Sequence, residues 1–141
     1  MTNTTITTII TIVILLLVVV LFVMARLNSK RIPKKKKENI LSKLEEIKIQ
    51  VKSEDVYARR DSIIKMDNLL SKALQIRYKN ELNSGENLKL AKNLFRKDTY
   101  QDIWDAHKLR NEIVHNDKDI EYDDAVKAYN IYKIAITKIL Q

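Results

Sequence analysis

Twenty consecutive residues, Ile6 to Ala25, read ITTIITIVILLLVVVLFVMA and carry no charge. At about 1.5 Å rise per residue a helix of this length covers roughly 30 Å, the thickness of a bilayer's hydrocarbon core. The preceding MTNTT has no charged side chain and the bulky LFVMARL closes the run. The segment therefore lacks the charged start and small-residue cleavage site of a signal peptide. Nothing downstream is apolar enough to enclose such a rod as a core helix. The expectation is an uncleaved single-span anchor over residues 1–27.

The flanks set its direction. Arg26, Lys30, Arg31, Lys34, Lys35, Lys36 and Lys37 crowd the carboxyl-terminal side, and the first 37 residues hold no carboxylate. Positive flanks stay on the cytoplasmic side. The reading is a single-pass protein of the cell's inner (cytoplasmic) membrane, amino terminus outside and body in the cytoplasm, with these seven cations against anionic headgroups. Residues 28–38 are expected to be a basic juxtamembrane linker and residues 39–141 a folded domain. Of the 26 basic residues, the seven in the flank leave 19 against 18 acidic ones. The formal charge of +8 thus belongs to the flank, and bulk charge gives no argument for nucleic-acid binding. The absence of cysteine agrees with a reducing compartment.

The body reads as all-α, a four- to five-helix bundle. Pro33 is the only proline and Gly85 the only glycine, so the punctuation of sheets and hairpins is missing. Apolar residues recur at helical spacing. A first helix is expected over Ile40–Val51, with Leu41, Leu44, Ile47 and Val51 on one stripe. A second, capped among Ser53, Glu54 and Asp55, runs to about Tyr78 with Val56, Ile63, Met66, Leu70, Ala73 and Ile76 inward. Ser84 and Gly85 read as a turn, and Glu86–Arg96 as a third helix. A fourth, capped by Asp98 or Thr99, ends near His115. A fifth, Asp123–Leu140, places Ala125, Tyr129, Tyr132, Ala135, Ile136 and Ile139 on one side. A bundle of about a hundred residues has much surface for its volume, which favours pairing with a second copy as a homodimer.

The fourth helix carries DIWDAHKLRNEIVHND, with both histidines and the single tryptophan of the chain. Ile103, Trp104, Ile113 and Val114 are expected in the core, and Tyr57, Tyr129 and Tyr132 in packing. His107 reads as a partly buried, hydrogen-bonded histidine. Asp102, Asp105, Glu112, Asp117 and Asp119 read as a solvated face or caps. At about 100° per residue Arg110 and His115 point about 140° apart, whereas His107 and Asn111 are about 40° apart. To act together, Arg110 and His115 need either a helix that ends before His115 or two chains meeting about a two-fold axis. An arginine beside an imidazole suits a phosphodiester: the guanidinium holds phosphate oxygens, and the imidazole takes a proton from a ribose 2'-hydroxyl. That chemistry uses no metal and no cofactor. The histidines lack the i, i+4 spacing of a helical zinc pair, and none is expected here.

LRNEIVH, Leu109 to His115, resembles the arginine, four to six residues, histidine signature of the HEPN superfamily. The string IWDAHKLRNEIVH is also similar to small membrane-anchored bacterial proteins with the same span-then-bundle layout. The resemblance implies a helical bundle that dimerises and acts as a metal-independent endoribonuclease or RNA-binding module in defence or stress response. By position, Arg110 and His115 match the catalytic pair and Asn111 the supporting polar neighbour, while His107 has no counterpart. Family toxins paired with a nucleotidyltransferase carry a tyrosine two residues after the histidine, where this chain has Asp117. The other reading keeps the fold without the enzyme: a membrane-tethered dimerisation or scaffold module in which Arg110, Asn111 and His115 knit helices together.

Overall fold

The computed structural model describes residues 2–29 and 32–141, with side chains for all of these but 27–29. Lys30 and Arg31, two of the expected headgroup contacts, lie outside the described residues. Among the described residues the chain is helical without strands, and it divides between residues 31 and 32 into two units.

The first unit is one helix, α1 (Asn3–Ser29). Within its stretch Asn3–Arg26 an 18-residue window has a mean hydropathy of 3.3 and none of that window is buried, so the helix is long and apolar enough to cross a membrane. Its threonines fit such a setting. Thr7 Oγ1 donates to Thr4 O at 2.9 Å and Thr11 Oγ1 to Thr8 O at 2.8 Å, so these hydroxyl protons are satisfied within the helix.

The second unit holds α2 (Lys34–Val51), α3 (Val56–Tyr78), α4 (Ser84–Leu90), a 3-10 turn (Lys92–Leu94), α5 (Lys97–His115) and α6 (Tyr122–Ile139). The long helix α3 is the central element, packing on α2, α4, α5 and α6, and α6 also packs on α2 and α5. Its start is fixed by Asp55, whose carboxylate accepts the Tyr57 N–H at 2.9 Å. The buried stripes of α2 (Ile40, Leu44, Ile47, Val51) and α6 (Ala125, Tyr129, Tyr132, Ala135, Ile136, Ile139) close on those of α3 (Ile63, Met66, Leu70, Ala73). Leu41 is only half-buried, and Ile40 takes the inward place.

Several boundaries differ from the sequence reading. The helix α2 begins at Lys34, directly after Pro33 (φ −57°), so the lysine run is helical and the expected linker over 28–38 is helical in its last five residues. Ser84 and Gly85 open α4 instead of forming a turn, because Asn83 and Glu86 make a reciprocal capping box. The reversal before them is made by Lys79 in the left-handed region (φ 53°) and by Asn80. The Asn80 side chain exchanges two hydrogen bonds with that of Asn87, at 2.8 and 2.9 Å. The third helix stops at Leu90 rather than Arg96, and the half-buried Leu94 and Phe95 pack against the core beyond it. Arg96, not Asp98 or Thr99, occupies the cap position of α5, while Asp98 sits in the first turn and accepts the Thr99 N–H at 2.7 Å. That backbone hydrogen bond is the main reason its carboxyl is held below the usual range.

Two side chains expected inside are outside. Val114 is 45% exposed and Tyr57 is 70% exposed. Val114 follows buried Ile113 by about 100°, enough on a one-sided helix to leave the core. Tyr57 lies in the first turn of α3, against the Arg60 guanidinium at 5.8 Å.

Candidate functional site

Asp67 lies on the apolar stripe of α3, one position after Met66 and three before Leu70, and its side chain is 3% exposed. A carboxylate in such a place requires partners. Three other helices supply them. From α5, His107 Nδ1 lies 2.8 Å from Oδ1. From α6, the Tyr132 hydroxyl lies 3.1 Å from the same oxygen and 3.0 Å from Ala106 O. Its one proton serves a single acceptor at a time. From the start of α4, Ser84 Oγ donates to Oδ2 at 3.3 Å. Finally Arg110 Nε stands 3.6 Å from Oδ2, an ion pair just too long for a hydrogen bond, and it is the one buried side-chain polar atom without a hydrogen-bond partner among the described residues.

The imidazole of His107 is thereby oriented. Nδ1 faces Asp67, the ring packs edge-on against Trp104 with centroids 5.7 Å apart, and Nε2 lies toward Gly85 at the start of α4. Trp104 is half-buried against the core and meets Tyr100 in the same edge-on manner at 6.3 Å. His107 is thus the partly buried, hydrogen-bonded histidine expected, at 13% exposure. The Tyr132 hydroxyl is pushed well above its ordinary range, first by burial and then by the neighbouring Asp67, against a smaller opposing pull from Arg110.

Arg110 reaches the surface with a quarter of its side chain, and its Nη1 donates to Asn111 Oδ1 at 3.0 Å. His115 is elsewhere. The helix α5 runs unbroken to it, so the early helix end that would have let His115 turn back is not what the chain does. His115 sits exposed in the last turn, with no side-chain hydrogen bond among the described residues. The chain therefore gathers His107 and Arg110 at Asp67, with Asn111 on Arg110, and leaves His115 about 140° around the helix and about 7.5 Å along it from Arg110.

Arginines hold the segment that follows His115. Buried Arg59 donates from Nε to Ile120 O at 3.1 Å and from Nη1 to Ser53 O and Glu54 O at 3.0 and 2.8 Å. Arg60 donates to Ile113 O at 3.3 Å, at the end of α5, and pairs with Asp117 and Asp119. The hydrogen bond that Arg60 donates to Asp117 is the main cause of its raised pKa. Asp117 itself is left-handed (φ 51°), and Ile120 plugs the core from the connection between α5 and α6.

Sequence reasoning missed Asp67, Ser84, the Tyr132 hydroxyl and the two arginines. Only Asp67 left a signal: an acidic residue in register with Ile63, Met66 and Leu70 marks a buried charge needing a counter-charge. Among the described residues no three His, Cys, Asp or Glu side chains are grouped as metal ligands. Comparison of the chain with protein-family models, with curated proteins and with solved structures gave no match.

Proposed function

We propose that this is a single-pass membrane protein whose helical body is a HEPN-like, metal-independent endoribonuclease with a site shared by two copies. The observation that carries this reading is the disposition of α5: Arg110 anchored beside Asp67 with its outer edge at the surface, and His115 exposed and unpartnered on another face of the same unbroken helix. Residues so divergent act on one phosphodiester only when one copy supplies Arg110 and Asn111 and the other His115, as a two-fold pair does. In the reaction His115 takes the 2'-hydroxyl proton and the 2'-oxygen bonds to phosphorus. The bond from phosphorus to the 5'-oxygen breaks, that oxygen takes a proton from water, and the hydroxide so formed takes back the proton held on His115. Arg110 stabilises the charge gathering on the phosphate oxygens. The anchor is α1, its basic flank cytoplasmic and in contact with anionic lipid.

The test is cleavage of single-stranded RNA by the full chain in detergent with EDTA present. The expected products carry 2',3'-cyclic phosphates, and Arg110→Ala and His115→Ala are each inactive. Mixing the two variants restores part of the activity, since each mixed pair holds one complete site. Wild-type cleavage without recovery after proven subunit exchange refutes the shared site.

One observation favours a second reading. Because Arg110 and His107 both serve a carboxylate that joins four helices, the motif is also suited to a purely structural role, in a membrane-tethered scaffold or dimerisation module. Under it no RNA is cut and Arg110→Ala lowers thermal stability.

A further inference from the structure

Pro33, Lys35, Lys36 and Asn39 at the start of α2, with Lys72 and Ile76 of α3, line an open groove of about 510 Å³. Three lysines and no carboxylate line it. None of the three makes an ion pair among the described residues, whereas Lys65, one side of the adjoining groove, is held by Asp61 at 2.7 Å. Uncompensated ammonium groups grouped around an amide and two apolar side chains form a receptor for an anion that carries hydrocarbon. Phosphate oxygens suit the lysines and the Asn39 amide, and glycerol or acyl carbons suit Pro33 and Ile76.

We infer that this groove binds the phosphate of an anionic phospholipid headgroup, with Lys72 of α3 completing a site that the lysine run of α2 begins. The source is lipid rather than a soluble phosphate because of chain continuity. Pro33 is only seven positions beyond Arg26, the end of the membrane-length stretch, at most about 25 Å of chain even when extended. This inference rests on the anchor reading of α1. It goes beyond diffuse attraction of a basic flank, which needs no shape and no residue from α3.

The experiment uses the full chain in nanodiscs of phosphatidylcholine alone or mixed with phosphatidylglycerol, with amine acetylation followed residue by residue by mass spectrometry. The expected result is Lys72 labelled about fivefold more slowly in the anionic discs, the size of effect one lysine shows near an anionic surface. Lys127, exposed on α6, labels alike in both. Lys72→Gln is expected to weaken the protection of Lys35 and Lys36. Equal labelling of Lys72 in the two discs overturns the site, and so does undiminished protection of Lys35 and Lys36 in Lys72→Gln. Inorganic phosphate added to phosphatidylcholine discs leaves Lys72 unprotected; protection equal to that by phosphatidylglycerol overturns the lipid assignment. Extraction of the protein from cell membranes by alkaline carbonate separates the two failures, because release there refutes the anchor itself.

Discussion

Asp67 on α3 and His107 on α5, 40 residues apart in the chain, meet through Oδ1 and Nδ1 at 2.8 Å, with the carboxylate side chain 3% exposed. The contact fixes the imidazole's rotation and draws α5 against the central helix. Because Tyr132, Ser84 and Arg110 use the same carboxylate, its removal strands several buried groups at once. Asp67→Ala is therefore expected to destabilise the body by about 3 to 5 kcal/mol, as for one partner lost from a buried charge pair. Thermal unfolding in detergent, followed by circular dichroism, measures it. A loss under about 1 kcal/mol would show that the cluster is not what joins the helices.

Coupling within the cluster is a separate expectation. His107→Gln and Tyr132→Phe each remove one contact to Oδ1, and each should cost about 1 kcal/mol. Combined with Asp67→Ala, each should add little, because the shared partner is already gone. The double-mutant cycle reads this directly, and simple additivity within 0.3 kcal/mol contradicts it.

Alkaline pH should weaken the fold through Tyr132. Its hydroxyl is held well above the usual range, chiefly because burial penalises the phenolate. A raised folded value means that the contribution is whole below the unfolded tyrosine value of about 10 and is lost as the pH climbs past it toward the folded value. Denaturant midpoints measured between about pH 8 and 11 should stay level and then fall. Tyr132→Phe should reduce the fall without abolishing it, since Tyr129 is raised as well, by burial and then by Glu45. An unchanged slope in the variant would assign the alkaline loss to other groups.

Arg59 is expected to hold the connection between α5 and α6. Arg59→Ala removes three hydrogen bonds to backbone carbonyls of residues 53, 54 and 120, leaving those acceptors without their donor. The expected loss is about 2 to 3 kcal/mol. Limited proteolysis should show new cleavage within residues 116–121. Wild-type resistance there would mean that Arg60 and buried Ile120 suffice.

The anchor is tested by charge. Replacing Leu16 and Leu17 with arginine places two cations near the middle of the apolar run, at about 2.5 to 3.5 kcal/mol each on an insertion scale. The variant should leave the membrane fraction, while a reporter fused to the carboxyl terminus of the native chain should be active only inside the cell. A reporter active only outside reverses the orientation.

How much of this was legible depends on range. Residues three or four apart on one helix face are neighbours whatever the tertiary fold, so the membrane-length run, the buried stripes of α3 and α6 and the Asp55 cap followed from local order. The unbroken course of α5 made the divergence of Arg110 and His115 a matter of helical periodicity alone. Boundaries were less secure, because the capping box of Asn83 with Glu86 and the start after Pro33 compete with neighbouring residues of similar propensity. What only the tertiary structure decided was which distant polar groups share a carboxylate. Nothing local to Asp67 selects His107, Tyr132, Ser84 or Arg110, which come from three other helices. Nothing local to Arg59 points to Ile120, 61 positions away. Burial makes those meetings obligatory: once four helices pack on α3, a charge on its inner face is stable only where other elements bring it partners, and the packing of whole helices determines which partners those are.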